Sequence, residues 1–362
     1  MTVSKRFRVA LVGCGRIAGV HAGYLRQVPQ VELVGACDLR RESREAFSAR
    51  WQLPTYADVD ELLSAAAPDV VHVLTPPATH ATVAMSLLDA GVHVLVEKPM
   101  ALTVAEADAM VAAARRAGRQ LTVDHNRWFD PVVHEARALL ASGRLGALVG
   151  VDVFQGAAVG EAELPPGQEG HWKAALPGGI LYDLAPHPVY LLRGFVGAVR
   201  QVQVVTRTAA DGKLRELRAV VEGAQALGSL TISLATRPFM NRITLFGDAM
   251  TAEVNLNNMT LIVRRTRQVP KLVGKVLPNI DEAVQLLRAT VVNGIAFVRG
   301  RQRYYPGMGL HFRAWYQALA DGTPPPVSAE EGRDGVALLQ QMWEQAGVTM
   351  GAAPVLRLVA QA

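Results

Sequence analysis

The first third of the chain alternates short apolar runs with longer stretches in which apolar positions recur every three or four residues. The apolar runs are Phe7 to Val12, Val31 to Cys37, Asp69-Val-Val-His-Val-Leu-Thr75, Val92-His-Val-Leu-Val-Glu97 and Gln120-Leu-Thr-Val-Asp124. Each is short enough for a strand and the intervening stretches have helical periodicity, so the pattern predicts repeated βαβ units around a mostly parallel sheet. In such sheets ligands sit beyond the carboxyl ends of the strands. That is where Thr75-Pro76-Pro77, Glu97-Lys98-Pro99 and Asp124-His125-Asn126-Arg127 fall. Near the C-terminus, Gly309 to Ala320 and Glu330 to Glu344 read as helices separated by Asp321-Gly-Thr-Pro-Pro-Pro, and are expected to pack back onto the preceding domains.

The first apolar run leads straight into Gly13-Cys14-Gly15-Arg16-Ile17-Ala18, a G-x-G-x-x-A sequence that opens a helical pattern. The first glycine permits a tight turn, the second lets the backbone approach a pyrophosphate, and the small third residue packs helix against strand. The helix N-terminus then faces the negative charge. The second run ends at Asp38, about 20 residues beyond the glycines, where an acid accepts hydrogen bonds from an adenosine ribose. NAD is the expected dinucleotide, because Asp38 repels a 2′-phosphate. NADP is the alternative, since Arg40 and Arg41 could clamp one.

Composition changes the picture little. A chain of 362 residues, 50% hydrophobic and 19% charged, can bury two cores of ordinary domain size. The expected division is a dinucleotide-binding domain over 1–126 and a second α/β domain over 127–362. Two cysteines, Cys14 and Cys37, give no disulfide framework, and a reducing cytoplasm fits best; they read as small buried residues, or as a pair that makes the empty cofactor site sensitive to oxidants. Lys5, Arg6 and Arg8 before Leu11-Val-Gly-Cys14 imitate a lipoprotein signal, but the apolar run is too short for export. No stretch reaches 18 uninterrupted apolar residues. No internal repeat, metal-ligand cluster or nucleic-acid motif is evident.

Catalytic chemistry is suggested by two further motifs. In Gly178-Gly179-Ile-Leu-Tyr182-Asp183-Leu-Ala-Pro-His187 the acid and the histidine are four apart, which stacks them on one helical face, and the glycines allow a sharp turn. Histidine suits the removal of an alcohol proton near neutral pH, with a neighbouring carboxylate to orient it. Lys98 can stabilise the developing alkoxide as hydride leaves carbon. Taken singly, a helix-surface ion pair and a solvated lysine are the ordinary alternatives.

The ordered set G-x-G-x-x-A, Thr75-Pro76 with His80, Glu97-Lys98-Pro99, Asn126-Arg127-Trp128 with Pro131, and G-G-x-x-x-D-x-x-x-H resembles the Gfo/Idh/MocA family of NAD(P)-dependent sugar and cyclitol oxidoreductases. The resemblance covers roughly 7–255 and 305–345. It implies an α/β protein, with an N-terminal Rossmann domain followed by an α/β domain whose open, largely antiparallel sheet often supports homodimers or homotetramers. It implies Lys98 and His187 as the catalytic pair with Asp183 assisting, and a cis bond before Pro99. The cofactor set is then Gly13, Gly15, Arg16, Ile17, Asp38, Arg40, Thr75, Pro76, His80, Glu97 and Lys98. Arg127, Trp128, His171, Trp172, Lys173 and Tyr182 are candidates for substrate contacts, since aromatic faces stack on sugar rings and cations hold carboxylate or phosphate.

Three departures stand out from the family pattern: Ala185 where glycine is frequent, Tyr190 where a second aspartate often follows, and Pro186 and Pro188 flanking His187. Pro188 removes a helix hydrogen bond and should distort the turn. Tyr190 removes an expected polar contact. The expected activity is hydride transfer between NAD(P) and a hydroxyl or ketone of a sugar, cyclitol or nucleotide sugar. An NAD-retaining glycoside hydrolase that uses transient oxidation, and a non-catalytic dinucleotide-binding regulator, are the alternatives.

Charge is unevenly placed. Residues 264–303 hold nine Lys or Arg against two acids, a net of +7, while the remainder of the chain totals −2. Within that segment Ile280, Ala283, Val284, Leu287, Val291, Ile295 and Val298 recur at helical spacing. A basic amphipathic helix is expected, docked on the protein's own sheet or a second subunit. The alternatives are peripheral contact with an anionic membrane and capture of a phosphorylated sugar.

Overall fold

The computed structural model describes residues 6–157, 173, 176–210, 212–299 and 305–348. They form two compact units, the first made of the described residues within 6–125 and 308–340 and the second of those within 126–307 and 341–348.

In the first unit, strands β1 (Phe7–Val12), β2 (Val31–Cys37), β3 (Thr55–Tyr56), β4 (Val70–Val73), β5 (His93–Val96) and β6 (Leu121–Val123) alternate with helices α1 (Arg16–Leu25), α2 (Arg41–Trp51), α3 (Val59–Ala66), α4 (His80–Asp89) and α5 (Val104–Ala117). Every strand pairing is parallel, in the order β3-β2-β1-β4-β5-β6. The chain reverses direction between β1 and β4, the switch point at which doubly wound sheets bind ligands. Continuous apolar runs follow from this arrangement, because a parallel strand is covered on both faces. Val9, Leu11, Val71, Val94 and Leu95 are all fully buried. Helix α5 opens on a reciprocal capping box between Thr103 and Glu106, which satisfies two backbone N–H groups that the helix start would leave without partners.

The second unit begins with α6 (Pro131–Ala141), β7 (Leu148–Gly156), α7 (Ile180–Leu184) and α8 (Pro186–Val196). It continues through β8 (Val199–Thr208), β9 (Leu214–Gly223), β10 (Leu227–Ser233), β11 (Met240–Gly247), β12 (Met250–Asn255) and β13 (Thr260–Arg265) to the long helix α9 (Lys271–Val298). Its seven strands lie in the order β13-β12-β11-β7-β10-β9-β8, with only β7 and β10 parallel. One face is covered by helices: a Cβ at Gly228 would lie 2.7 Å from the Leu192 side chain, so the bare glycine lets α8 approach the sheet. The other face carries Val205, Val220, Leu227 and Phe246 exposed. The fold is therefore α/β, a Rossmann-type parallel sheet followed by a mixed, mostly antiparallel open one.

Two more helices, α10 (Pro306–Asp321) and α11 (Ala329–Gln345), return the chain to the first unit through residues 308–340. Phe312, Trp315 and Tyr316 are fully buried there, and Trp315 Nε1 donates to Gln120 Oε1 at 2.9 Å.

Candidate active site

At the end of β1 the Gly13 N–H donates to the Cys37 carbonyl at 2.7 Å, with Gly13 at φ +102. The Cys14 N–H donates to Asp38 Oδ2 at 2.8 Å, and the Arg40 N–H donates to Asp38 Oδ1 at 2.9 Å, so the acid at the end of β2 is pinned beside the glycine turn. Arg44 holds the same loop by donating to the Asp38 and Leu39 carbonyls. Gly15 and Arg16 are exposed at the start of α1, and a Cβ on Gly15 would meet nothing within 4 Å. A helix N-terminus with open space above its glycine and an anchored carboxylate beside it fits a dinucleotide's pyrophosphate and ribose. Burial, with Asp38 and the neighbouring thiol adding to it, pushes the Cys14 thiol up to about 12. Burial and Asp38 push Cys37 to about 12 as well. Both remain thiols at neutral pH, so the expected oxidant sensitivity is not supported.

Beyond β4 and β5, Thr79 Oγ1 donates to Thr75 Oγ1 at 2.8 Å, and His80 lies buried between the Thr75 carbonyl (2.8 Å) and the Pro99 carbonyl (2.9 Å). Burial lowers the His80 pKa despite both carbonyls. His80 thus ties two loops together, and its buried ring cannot touch a cofactor as expected from the sequence. The Lys98–Pro99 bond is cis. The Lys98 N–H donates to Glu97 Oε2 at 3.0 Å, while Glu97 Oε1 meets His21 Nε2 at 3.2 Å. Burial would raise the Glu97 carboxyl, but the His21 hydrogen bond and the nearby Lys98 hold it below its ordinary value. Glu97 thus anchors the Lys98 backbone from an almost fully buried position.

Behind Glu97 runs a buried polar chain whose members the sequence did not associate. His21 Nδ1 lies 3.0 Å from His72 Nδ1, and His72 Nε2 lies 3.0 Å from the Tyr316 hydroxyl. Burial keeps His72 well below and Tyr316 well above their ordinary pKa values, so His72 is neutral and Tyr316 retains its proton. One direction of donation satisfies the whole chain: Tyr316 to His72, His72 to His21, His21 to Glu97. His311, held down to about 3 by burial, donates Nδ1–H to Asp124 Oδ1 at 3.1 Å. His21, Glu97 and Asp124 bring ligand-type atoms within 4.8 Å of one another, a cluster the sequence did not reveal. Within it His21 Nε2 lies 3.2 Å from Glu97 Oε1 and 3.6 Å from Asp124 Oδ2.

In the second unit, Gly178 and Gly179 take φ +77 and +64. A Cβ on Gly178 would lie 2.7 Å from Trp343 Nε1, which donates to the Pro177 carbonyl. The helical segment that follows is broken at Ala185 into α7 and α8, because Pro186 and Pro188 lack N–H donors. The Leu184 carbonyl, whose helical partner would be residue 188, accepts from Gln155 Nε2 at 3.3 Å instead. Asp183 Oδ2 binds Lys173 Nζ at 2.7 Å. His187 Nδ1 lies 3.0 Å from the Tyr190 hydroxyl, which also accepts from the Arg127 N–H at 3.0 Å. The tyrosine therefore supplies a polar contact where the sequence suggested one had been lost.

Two sequence models cover this architecture: one described as an oxidoreductase family with an NAD-binding Rossmann fold matches residues 7–125, and the Gfo/Idh/MocA C-terminal domain matches residues 133–253. The chain belongs to the Gfo/Idh/MocA family. It is 35% identical over 146 residues to the D-apiose dehydrogenase of Paraburkholderia graminis, a stretch covering 40% of this chain and 39% of that protein. It is 34% identical over 147 residues to the D-glucoside 3-dehydrogenase of Escherichia coli, covering 40% and 42%. The match thus spans about two-fifths of these relatives' length. Across 96% of this chain and 97% of the other, the fold matches the WlbA dehydrogenase of Bordetella pertussis, solved with NADH and UDP-GlcNAcA, at 24% identity and a TM-score of 0.77.

Against the family pattern, several side chains proposed for substrate sit elsewhere. Tyr182 is fully buried and meets Trp343 edge-on at 5.2 Å, so it cannot stack on a sugar. The Trp128 face is covered by the Arg137 guanidinium at 4.3 Å and its edge meets Phe195 at 5.1 Å, which makes it packing. Lys173 serves Asp183. Arg127 is half-buried, its backbone engaged with Tyr190. His171 and Trp172 lie outside the described residues.

Proposed function

We propose that this protein is an NAD-dependent oxidoreductase acting on a CH–OH group of a sugar, cyclitol or nucleotide sugar. The observation that carries the reading is the His187–Tyr190–Arg127 arrangement in a chain whose other unit is an NAD-binding Rossmann domain. With Nδ1–H donated to Tyr190, His187 presents Nε2 as a base and takes the hydroxyl proton. Lys98, placed at a strand end by Glu97 and His21, stabilises negative charge on the substrate oxygen. Asp183, paired with Lys173, orients the same segment or a substrate hydroxyl. Gly13, Gly15, Arg16, Ile17 and Asp38 hold the dinucleotide, with Thr75 and Pro76 beside it. NAD, when bound, supplies the hydride acceptor.

The dehydrogenase names of the relatives and the NADH-bound fold neighbour support this substrate class. The same reading places the protein in the cytoplasm, in keeping with two free cysteines, as a homo-oligomer joined through the exposed Val205, Val220, Leu227 and Phe246. No described helix is long and apolar enough to cross a membrane.

Freshly purified protein offered free, phosphorylated and nucleotide-linked sugars should form NADH stoichiometrically with one class. His187→Ala should abolish this while binding NAD as the parent does. Turnover retained by that variant would refute the assignment, and tightly held NAD with no net reduction would point to internal redox recycling.

A further inference from the structure

Helix α9 is attached to its own protein by its polar side. Gln285 accepts from the Val263 N–H at 2.9 Å and donates to the Val263 carbonyl at 3.0 Å, closing the edge of strand β13. Glu282 forms a bidentate pair with Arg264, Asp281 pairs with Arg267 at 3.2 Å, and Asn293 donates to the Asn258 and Met259 carbonyls. The surface left open carries a row of Val273, Val276, Ile280, Val284, Leu287, Val291, Ile295 and Val298, each between 42% and 84% exposed, with Leu272, Leu286, Val292 and Phe297 exposed beside it. An ordinary surface helix does the reverse, turning its apolar stripe inward.

We propose that α9 lies flat on an anionic membrane surface, its apolar face in the headgroup boundary. Charge selects this occupant. The two acids of the helix are neutralised by Arg264 and Arg267, whereas Arg265, Lys271, Lys275, Arg288 and Arg299 are exposed and make no ion pair among the described residues. A second copy of α9 would present the same cations and be repelled; anionic headgroups are attracted. Spacing agrees. Eight of the exposed apolar positions step by 3, 4, 4, 3, 4, 4 and 3, an 11-residue repeat, and the exposed Leu272, Leu286, Val292 and Phe297 widen the apolar surface beyond that row. A left-handed coiled coil requires the narrower 3, 4, 3, 4 seam. Twenty-eight residues give about 42 Å of such a face, and the helix lies on the bilayer without spanning it.

Flotation of the full-length protein with vesicles tests this. The protein should rise with phosphatidylcholine vesicles containing about one-third phosphatidylglycerol, and at least tenfold less with phosphatidylcholine alone. Retention should decline toward about 1 M salt as the screening length falls to about 3 Å. The double variant Arg288→Ala, Arg299→Ala should bind about 25-fold more weakly, at about fivefold per basic residue. Val284→Glu with Val291→Glu should abolish flotation while circular dichroism, melting and NAD binding stay unchanged, since both side chains are exposed. Equal retention on both vesicle types, retention on neither, or a wild-type oligomer that the glutamate variant dissolves would overturn the proposal.

Discussion

Replacing either glycine of the dinucleotide turn by alanine should have opposite consequences. At Gly13, with φ +102, an added Cβ would sit 2.8 Å from the Leu74 carbonyl oxygen, 2.9 Å from its carbon and 3.1 Å from the Thr75 nitrogen. All three are backbone atoms, so no rotamer change relieves the contact. Positive-φ strain costs about 1–3 kcal/mol, and overpacking a further 1–3 kcal/mol. Taking about 4 kcal/mol in total, a unit of this size should melt roughly 8–16 °C lower. At Gly15 the backbone has φ −73 and an added Cβ meets nothing within 4 Å, so Gly15→Ala should keep its stability within about 0.5 kcal/mol. That methyl, however, would fill the space into which a pyrophosphate must come, and NAD affinity should fall at least tenfold. Differential scanning calorimetry and NAD titration calorimetry on both variants separate the effects. A Gly13→Ala protein that melts with the parent, or a Gly15→Ala protein with parental NAD affinity, would refute the reading of this turn.

Tyr190→Phe keeps the ring but removes the hydroxyl from His187 Nδ1; kcat should fall about tenfold or more, with an altered pH–rate profile and unchanged NAD affinity. Burial raises Asp130 from 3.8 to about 6, against the pull of Arg127 and the Gly307 N–H, so its ionised form is disfavoured in the fold. Asp130→Asn should therefore stabilise the protein by up to about 3 kcal/mol above pH 6, the gain shrinking as pH falls toward 3.8 and vanishing below it; denaturant unfolding at several pH values reads this directly. His311 runs the other way: its folded pKa of about 3 lies below the ordinary 6.5, so its neutral form is favoured, and stability should drop as pH falls from 6.5 toward 3. Glu97→Ala removes the acceptor shared by His21 and the Lys98 N–H and should cost about 1–3 kcal/mol for each donor left without an acceptor, measured by the same unfolding curves.

The parallel sheet was legible because its information is local. Strands buried on both faces must be continuously apolar, and the turn after β1 needs its glycines within three residues of each other. The break at Ala185 was legible for the same reason, since a proline's missing N–H acts on a carbonyl four residues away. Partners far apart in sequence were not legible. His72 meets Tyr316 across 244 residues and Asp124 meets His311 across 187, and no periodicity connects a strand residue to a helix that returns so late. His80 and Tyr182 failed as ligand candidates on burial, which residue type does not fix: a histidine between two carbonyls and a tyrosine against a tryptophan look in sequence like exposed ones.

Tyr190 shows why motif departures need their surroundings. Read against the family pattern, an aspartate replaced by tyrosine loses a charge and a contact. On a helix, however, residues three apart face each other, so a longer side chain that ends in a hydroxyl still reaches His187 Nδ1. The hydroxyl differs from a carboxylate in carrying its own proton and no charge. A neutral partner stabilises an imidazolium less than a carboxylate does, so the substitution should keep the histidine ring aimed while leaving it a weaker base. Tyr190→Asp should then shift the basic group's pKa upward in the rate profile of the proposed dehydrogenation, and a profile unmoved by the change would mean that Tyr190 only packs.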